Sequence, residues 1–333
     1  MTLFLNSIAH FLVDALCITT LFSAGAEGDM LVIGILLYNT LAFSTQCVVG
    51  LWLDRLRRWK VPELAAMTLV ILGFALPLPF YLRVVLVGAG NSVFHVAAGA
   101  VTLRCCGGKA WQLGVFVAPG AFGVTLGTLF PRFGWILAAA LLLCAVAVLH
   151  RPASDAPKKT KLGVHEESFS FPAVLLLTCA VAVRALGGVA VSFPWKQTAL
   201  HAFLMTFFVF AGKTAGGFVC DRLGARRSAW VSIPLAAVCI AFFSASMPLS
   251  LLGQFLLNLT MPVTLWLLYR MMPAEPAFAF GLAASALWPG TIAGQLVELT
   301  GSLRWICVII SFLFGLAAIA YSDHPHYKKE GSA

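Results

Sequence analysis

Charged side chains are scarce in this chain. They make up 11% of its 333 residues, against about 25% in a soluble globular domain. So few charges cannot cover a water-facing surface, and with 60% hydrophobic residues and a mean hydropathy of +0.93 the natural solvent is lipid. The apolar segments also lack strand-like alternation, which excludes a β-barrel and leaves helices, since backbone groups in lipid must pair internally. No phosphate-binding loop is present, so ATP does not drive the protein directly. No catalytic motif clusters near a membrane face, which argues against an enzyme, and no cofactor is implied. No Cys/His/carboxylate set has dedicated metal spacing. The nine cysteines fall in apolar segments or at the cytoplasmic edge, with Cys105-Cys106 unmatched by a second pair, so they are expected to be inert thiols. The first segment lacks the basic start of a signal peptide and carries His10 and Asp14, so it is expected to remain as a helix of the mature protein.

What is present is a series of apolar runs near the roughly 20 residues a spanning helix needs. Twelve are expected, at about 3–23, 30–53, 64–79, 81–104, 110–130, 133–150, 171–193, 198–220, 228–247, 249–270, 277–299 and 303–321. The third is crowded by Pro77 and Pro79. Threading them with the N-terminus inside puts sixteen of the 22 Lys/Arg on the cytoplasmic face, the positive-inside asymmetry. The net charge of +9 thus sets topology, with both termini cytoplasmic and no nucleic-acid partner. The plasma membrane, or the inner membrane of a bacterium, is the expected location.

The polar stretch 151–170 follows the sixth span and is expected to be a flexible cytoplasmic linker. It separates an N-terminal bundle, 1–150, from a C-terminal bundle, 171–322, with a cytoplasmic tail at 323–333. A repeat supports the division. Gly50-Leu51-Trp52-Leu53-Asp54-Arg55 after span two is answered by Gly217-Phe218-Val219-Cys220-Asp221-Arg222 after span eight, and the same offset carries Asn91 onto Asn258. Parallel six-helix repeats are a transporter architecture. In this signature, its repeat and the central linker, the whole chain resembles the major facilitator superfamily. The segments His10-Phe11-Leu12-Val13-Asp14 and Gly90-Asn91-Ser92-Val93-Phe94-His95 further resemble the fosmidomycin-resistance type of drug exporter. The resemblance implies twelve helices in two six-helix bundles, alternating access in a monomer, and a central cavity lined by helices one, four, seven and ten.

Ionisable groups within spans are costly and point to function. His10 and Asp14 share one face of helix one, Asn91 and His95 share one of helix four, Gln254 and Asn258 one of helix ten, and Arg184 lies mid-way along helix seven. Interhelical hydrogen bonding is the competing explanation for the amides. Asp14 is the expected coupling carboxylate, with His10 or His95 as relay, because burial favours the neutral, proton-carrying form of a carboxyl group. The guanidinium fork of Arg184 suits a carboxylate, phosphate or phosphonate, and Asn91, His95, Gln254, Asn258 and Trp288 are further cavity candidates. Gly50, Asp54, Arg55, Lys213, Gly217, Asp221 and Arg222 are expected to form a cytoplasmic gate in which the acids pair with nearby basic residues. Glu298 is expected to reach the outer interface. Trp288-Pro289-Gly290 in span eleven mirrors Pro119-Gly120 in span five, and both suggest bending points. Together these features point to a secondary transporter that moves a small organic solute, an anion among the candidates, with protons as coupling ion. A proton-driven multidrug or antibiotic exporter is the alternative, and a divalent-metal transporter, with His10, Asp14 and His95 as ligands, a more distant one.

Overall fold

The computed structural model describes residues 2–23, 25–56, 58–105, 107–152, 169–189, 191–297 and 301–323. Most of the expected linker, Glu298 and the tail beyond 323 lie outside the described residues. Among the described residues every regular element is helical. In order they are α1 (Thr2–Ser23), α2 (Gly28–Leu56), α3 (Lys60–Ala75), α4 (Phe80–Cys105), α5 (Trp111–Leu129), α6 (Pro131–His150), α7 (Phe171–Val189), α8 (Ala199–Leu223), α9 (Ala225–Phe242), α10 (Met247–Met271), α11 (Pro276–Leu296) and α12 (Gly301–Ser322). Eleven are long and apolar enough to cross a membrane. The shorter one, α3, has 16 residues, about 24 Å of helix. It starts four residues before the expected position because Pro62 suits a first helical turn and because Glu63, fully buried there, has a partner inside the protein.

Several helices are interrupted, and the sequence supplies the cause. A proline lacks the N–H that the carbonyl four residues earlier would accept. Pro262 and Pro289 thereby release Asn258 and Ser285, and α10 and α11 break just after those residues. Pro119 does the same to Val115, and α5 breaks at Ala118. In α2 the break is a π-helical turn, Thr40–Ser44. There the side chains of Thr40, Ser44, Thr45 and Gln46 all bond to carbonyls four residues back, in competition with the backbone ladder. Large apolar side chains such as Leu143, Trp135, Trp230 and Val231 stay exposed, as lipid-facing residues should. Small residues fill the inner faces. A methyl at Gly90 of α4 would strike Val70 and the Ala66 carbonyl of α3, the close approach that small residues permit between membrane helices.

Contacts divide the chain into two compact units. The first holds residues 1–105, 115–160 and 275–285, and the second holds 106–114, 161–274 and 286–333. Residues 106–114 and 275–285 therefore each group with the opposite half of the sequence. The core of the first unit includes Leu53, Trp59, Val96, Ala97, Val101 and Ala277.

Near one end of the first unit, Arg151 reaches inward rather than serving only as a topological charge. Its Nη2 donates to Glu63 Oε2 at 2.8 Å and its Nη1 to Asn6 Oδ1 at 2.9 Å. Lys60 Nζ in turn donates to the Arg151 carbonyl at 2.6 Å. The pair ties α1, α3 and the end of α6 together with both charges out of solvent. Leaving one member of such a pair unpartnered costs about 3–5 kcal/mol, while replacing both with apolar residues can be neutral. Glu63→Ala and Arg151→Ala should therefore each lower thermal stability in detergent sharply, whereas the Glu63→Met/Arg151→Leu double variant should lose much less than their sum. A thermal-shift double-mutant cycle checks this, and simple additivity would count against the pair.

Candidate functional site

The break in α5 shapes the polar centre of the first unit. Near the break, the freed Val115 carbonyl has the Ser7 hydroxyl 3.3 Å away, and the next carbonyl, that of Phe116, accepts from His10 Nδ1 at 2.8 Å. One residue past Pro119, Gly120 lies against the other edge of the same ring. A methyl at that position would overlap both Asp14 Oδ2 and His10 Nε2. The Phe116 ring also flanks His10, 5.0 Å between centroids.

Helix α4 closes the site from the opposite side. His95 Nδ1 bonds to the Asn91 carbonyl at 2.9 Å, which turns its Nε2 toward His10 Nε2, 2.8 Å away. Asp14 lies beneath both rings, with Oδ2 3.3 Å from His10 Nε2 and Oδ1 3.5 Å from His95 Nε2. The amide of Asn91 donates to Asp14 Oδ1 at 2.9 Å. Four residues chosen from the sequence thus meet in one cluster. His10 and Asn91 are buried, and Asp14 and His95 retain slight exposure.

Spacing separates the two chemistries open to this cluster, metal ligation and hydrogen bonding between the rings. His10, Asp14 and His95 offer three ligand atoms close enough for one metal ion. Two nitrogens on one tetrahedral metal at bonds of about 2.0–2.1 Å stand roughly 3.4 Å apart. The observed 2.8 Å is a hydrogen-bond distance, and α5 packed at Gly120 leaves no space for a fourth ligand on that side. The separation fits a proton.

In the second unit Arg184 projects from α7 and donates to Thr260 Oγ1 at 2.9 Å. Beside it is a void of about 10 Å³, lined also by Thr264, Ser311 and Phe312, room for about one water. Among the described residues no carboxylate pairs with this guanidinium. Asn258 and Gln254 bond within their own helix, Nδ2 of the former donating to the carbonyl of the latter at 2.8 Å. Trp288 follows the break in α11, and Lys213 lies on the α8 stretch that packs against Gly114. The first unit holds Asp14, His10, Asn91 and His95, and the second holds Arg184, Gln254, Asn258, Lys213 and Trp288.

The repeated Gly-x-x-x-Asp signature lies on the last turns of α2 and α8, and the described partners of its acids are backbone amides rather than the basic side chains expected. Asp54 accepts from Ala277 N at 3.1 Å and Phe278 N at 2.7 Å, at the first turn of α11. Asp221 accepts from Ala110 N at 2.7 Å and Trp111 N at 3.0 Å, at the first turn of α5. Gly50 and Gly217 sit one turn earlier, where a methyl would strike the same two residues in each case. The separation from Asp54 to Asp221 equals that from Ala110 to Ala277, so site and partner obey one repeat. A carboxylate at a helix N-terminus is favoured by the free N–H groups and by the macrodipole. Arg55 and Arg222 are exposed beside these acids.

Sequence reasoning missed Pro119 and Gly120 as builders of the histidine site, Thr260 as the partner of Arg184, and the inward role of Arg151. The first was the most accessible, because Pro-Gly in an apolar span opposite a histidine-bearing helix is an available signal.

No family model matches the chain. It is 25% identical to the fosmidomycin resistance protein of Escherichia coli, over 84% of this chain and 81% of that protein. Among solved structures it is similar to a variant of the E. coli fucose:proton symporter FucP, with a TM-score of 0.71 and 13% identity, covering 96% of this chain and 98% of that one. A structure of FucP described as a major facilitator superfamily transporter in the outward conformation gives 0.71 and 15%, over 97% and 98%. The human organic anion transporter MFSD10 gives 0.68 and 14%, over 96% and 98%. The chain thus has the major facilitator fold, in a multi-pass helical membrane protein.

Overpacking a filled interior costs about 1–3 kcal/mol. Gly120→Ala should therefore destabilise the protein and disturb the histidine cluster. Gly315→Ala in α12, where nothing lies within 4 Å of the added methyl, should leave thermal stability unchanged or slightly raised. Equal melting temperatures for the two variants in detergent would show that α5 does not pack on the site as described.

Proposed function

We propose that the protein is a proton-coupled secondary transporter for a small anionic organic solute, in the plasma membrane or a bacterial inner membrane, with both termini cytoplasmic. The observation that carries the coupling is the cluster of His10, Asp14 and His95, in which three ionisable side chains meet within spanning helices. Packing alone gives no reason to place them there, and such groups mark proton and ion pathways. Arg184 supplies the reason for an anion, because its charge lacks a described carboxylate partner and its one described acceptor is a hydroxyl. A buried charge without a counter-charge is costly, and an anionic solute would provide one. Asp54 and Asp221 are proposed as the gate, each holding a helix N-terminus. The helix-break residues of α5 and α11 would be its bending points.

A second reading, a proton-driven exporter of antibiotics, is favoured by the likeness to the fosmidomycin resistance protein. Fosmidomycin is therefore the first solute to try. In proteoliposomes with an imposed pH gradient, the wild type should move labelled fosmidomycin against its gradient, and dissipating the pH gradient should abolish that movement. Arg184→Lys keeps the charge but loses the two-pronged fork. It should lower transport at least tenfold while the protein still folds by thermal shift. Transport in Arg184→Lys equal to wild type would remove Arg184 from solute recognition. Accumulation that persists without a pH gradient would remove proton coupling.

A further inference from the structure

We infer that the coupling proton is held between His10 and His95, Nε2 to Nε2, and that Asp14 is the fixed counter-charge rather than the carrier. This inference rests on the proposed coupling role of the cluster and names the group in it that takes up and gives back the proton.

The argument begins with the outer nitrogens. His10 Nδ1 faces the Phe116 carbonyl at 2.8 Å and His95 Nδ1 faces the Asn91 carbonyl at 2.9 Å. A carbonyl only accepts, so each Nδ1 must carry hydrogen. In a neutral imidazole the other nitrogen then bears a lone pair. With both rings neutral, two lone pairs would meet at 2.8 Å, over carboxylate oxygens 3.3 and 3.5 Å away. Two lone pairs and two carboxylate oxygens would then face one another, with the Asn91 amide already bonded to Asp14. One added proton removes that conflict. It makes an N–H···N bond between the rings and a net-neutral cluster of one imidazolium and one carboxylate. Removing it leaves an uncompensated negative charge in a low-dielectric site, and adding a second leaves a positive one.

Among the described residues, the helix segments facing the cluster bring few other titratable groups near it. Residues 115–129 of α5 and 276–285 of α11 carry no titratable side chain. From α2, Tyr38 adjoins Cys17 of α1, which the Asn91 amide approaches at 3.8 Å. Glu63 of α3 and Arg151 after α6 are closed on each other at the Asn6 end of α1. The pair therefore stands as a one-proton store with its own counter-ion. Transfer is balanced: the Nε2–H bond breaks, the proton leaves to water or solute, and the pair returns to two facing lone pairs, which must then separate.

Protein labelled with ¹⁵N-histidine in nanodiscs tests this directly, with His10→Gln and His95→Gln spectra assigning the signals. At pH 7 both Nδ1 atoms should be protonated, with one proton joining the two Nε2 atoms and a nitrogen–nitrogen coupling across it. Two bare Nε2 atoms at pH 7 would overturn the proposal. Transport of fosmidomycin in proteoliposomes gives a second arm. His10→Gln and His95→Gln should lose pH-driven accumulation at least tenfold at every pH. Asp14→Asn, having lost only the counter-charge, should fall at pH 7 and recover most of its rate on acidification. If Asp14→Asn stays inactive on acidification while either histidine variant still accumulates solute, the carboxylate is the carrier and the assignment fails. The spectra report the proton whether or not fosmidomycin is carried, so failure of the transport reading is distinguishable from failure of this one.

Discussion

The bond from His10 Nδ1 to the carbonyl of Phe116 is the contact on which the candidate site depends. In lipid a carbonyl released from its helix must find a donor inside the protein. Pro119 releases the Val115 carbonyl, which the Ser7 hydroxyl approaches at 3.3 Å, and His10 bonds to the carbonyl that follows it. The ring is thereby fixed at one nitrogen, and its other nitrogen is aimed at His95 and Asp14. Gly120 then lets α5 approach until the pocket has no spare volume. A backbone defect and a missing side chain, adjacent in the sequence, together orient an imidazole on a neighbouring helix.

The architecture was largely legible from the sequence because lipid imposes a simple rule. Length and hydropathy gave the spans, whereas the grouping of 106–114 and 275–285 with the opposite half of the sequence left no signal in them. The polar contents of α1 and α4 were legible too, since Asp14, Asn91 and His95 stand out against apolar neighbours. The tautomer of His10 was not, because it depends on the Phe116 carbonyl that faces the ring from α5. The start of α3 was misplaced for a related reason. Glu63 looks like an interfacial charge until Arg151, 88 residues later, is seen to close on it. The same long-range pairing took Arg151 out of the set of purely topological charges. The roles of Asp54 and Asp221 shifted as well. The surrounding arginines suggested ion pairs, but each carboxylate instead meets two adjacent N–H groups at a helix start, which the macrodipole also favours.

The repeat also keeps one local arrangement in two halves with little sequence in common. What recurs is a glycine, an acid one turn later, and a helix start that the pair receives. A carboxylate cap is worth about 0.5–2 kcal/mol, enough to favour one arrangement and small enough to be exchanged thermally. The glycine adds selectivity, because only a bare backbone lets the received turn come within reach of the acid.

The two units differ most in how their polar centres balance charge. In the first, Asp14 is matched inside the protein as soon as one proton joins the histidines, so the cluster can sit in a low dielectric without an outside partner. In the second, Arg184 has a threonine hydroxyl and a water-sized void, and no described acid. A neutral hydroxyl satisfies one of five donors and none of the charge. Among the described residues, the first unit's cluster has one negative charge facing two imidazoles, and the second unit's guanidinium has no acid beside it. Under the proposed function, a proton would answer the first of these imbalances and an anionic solute the second.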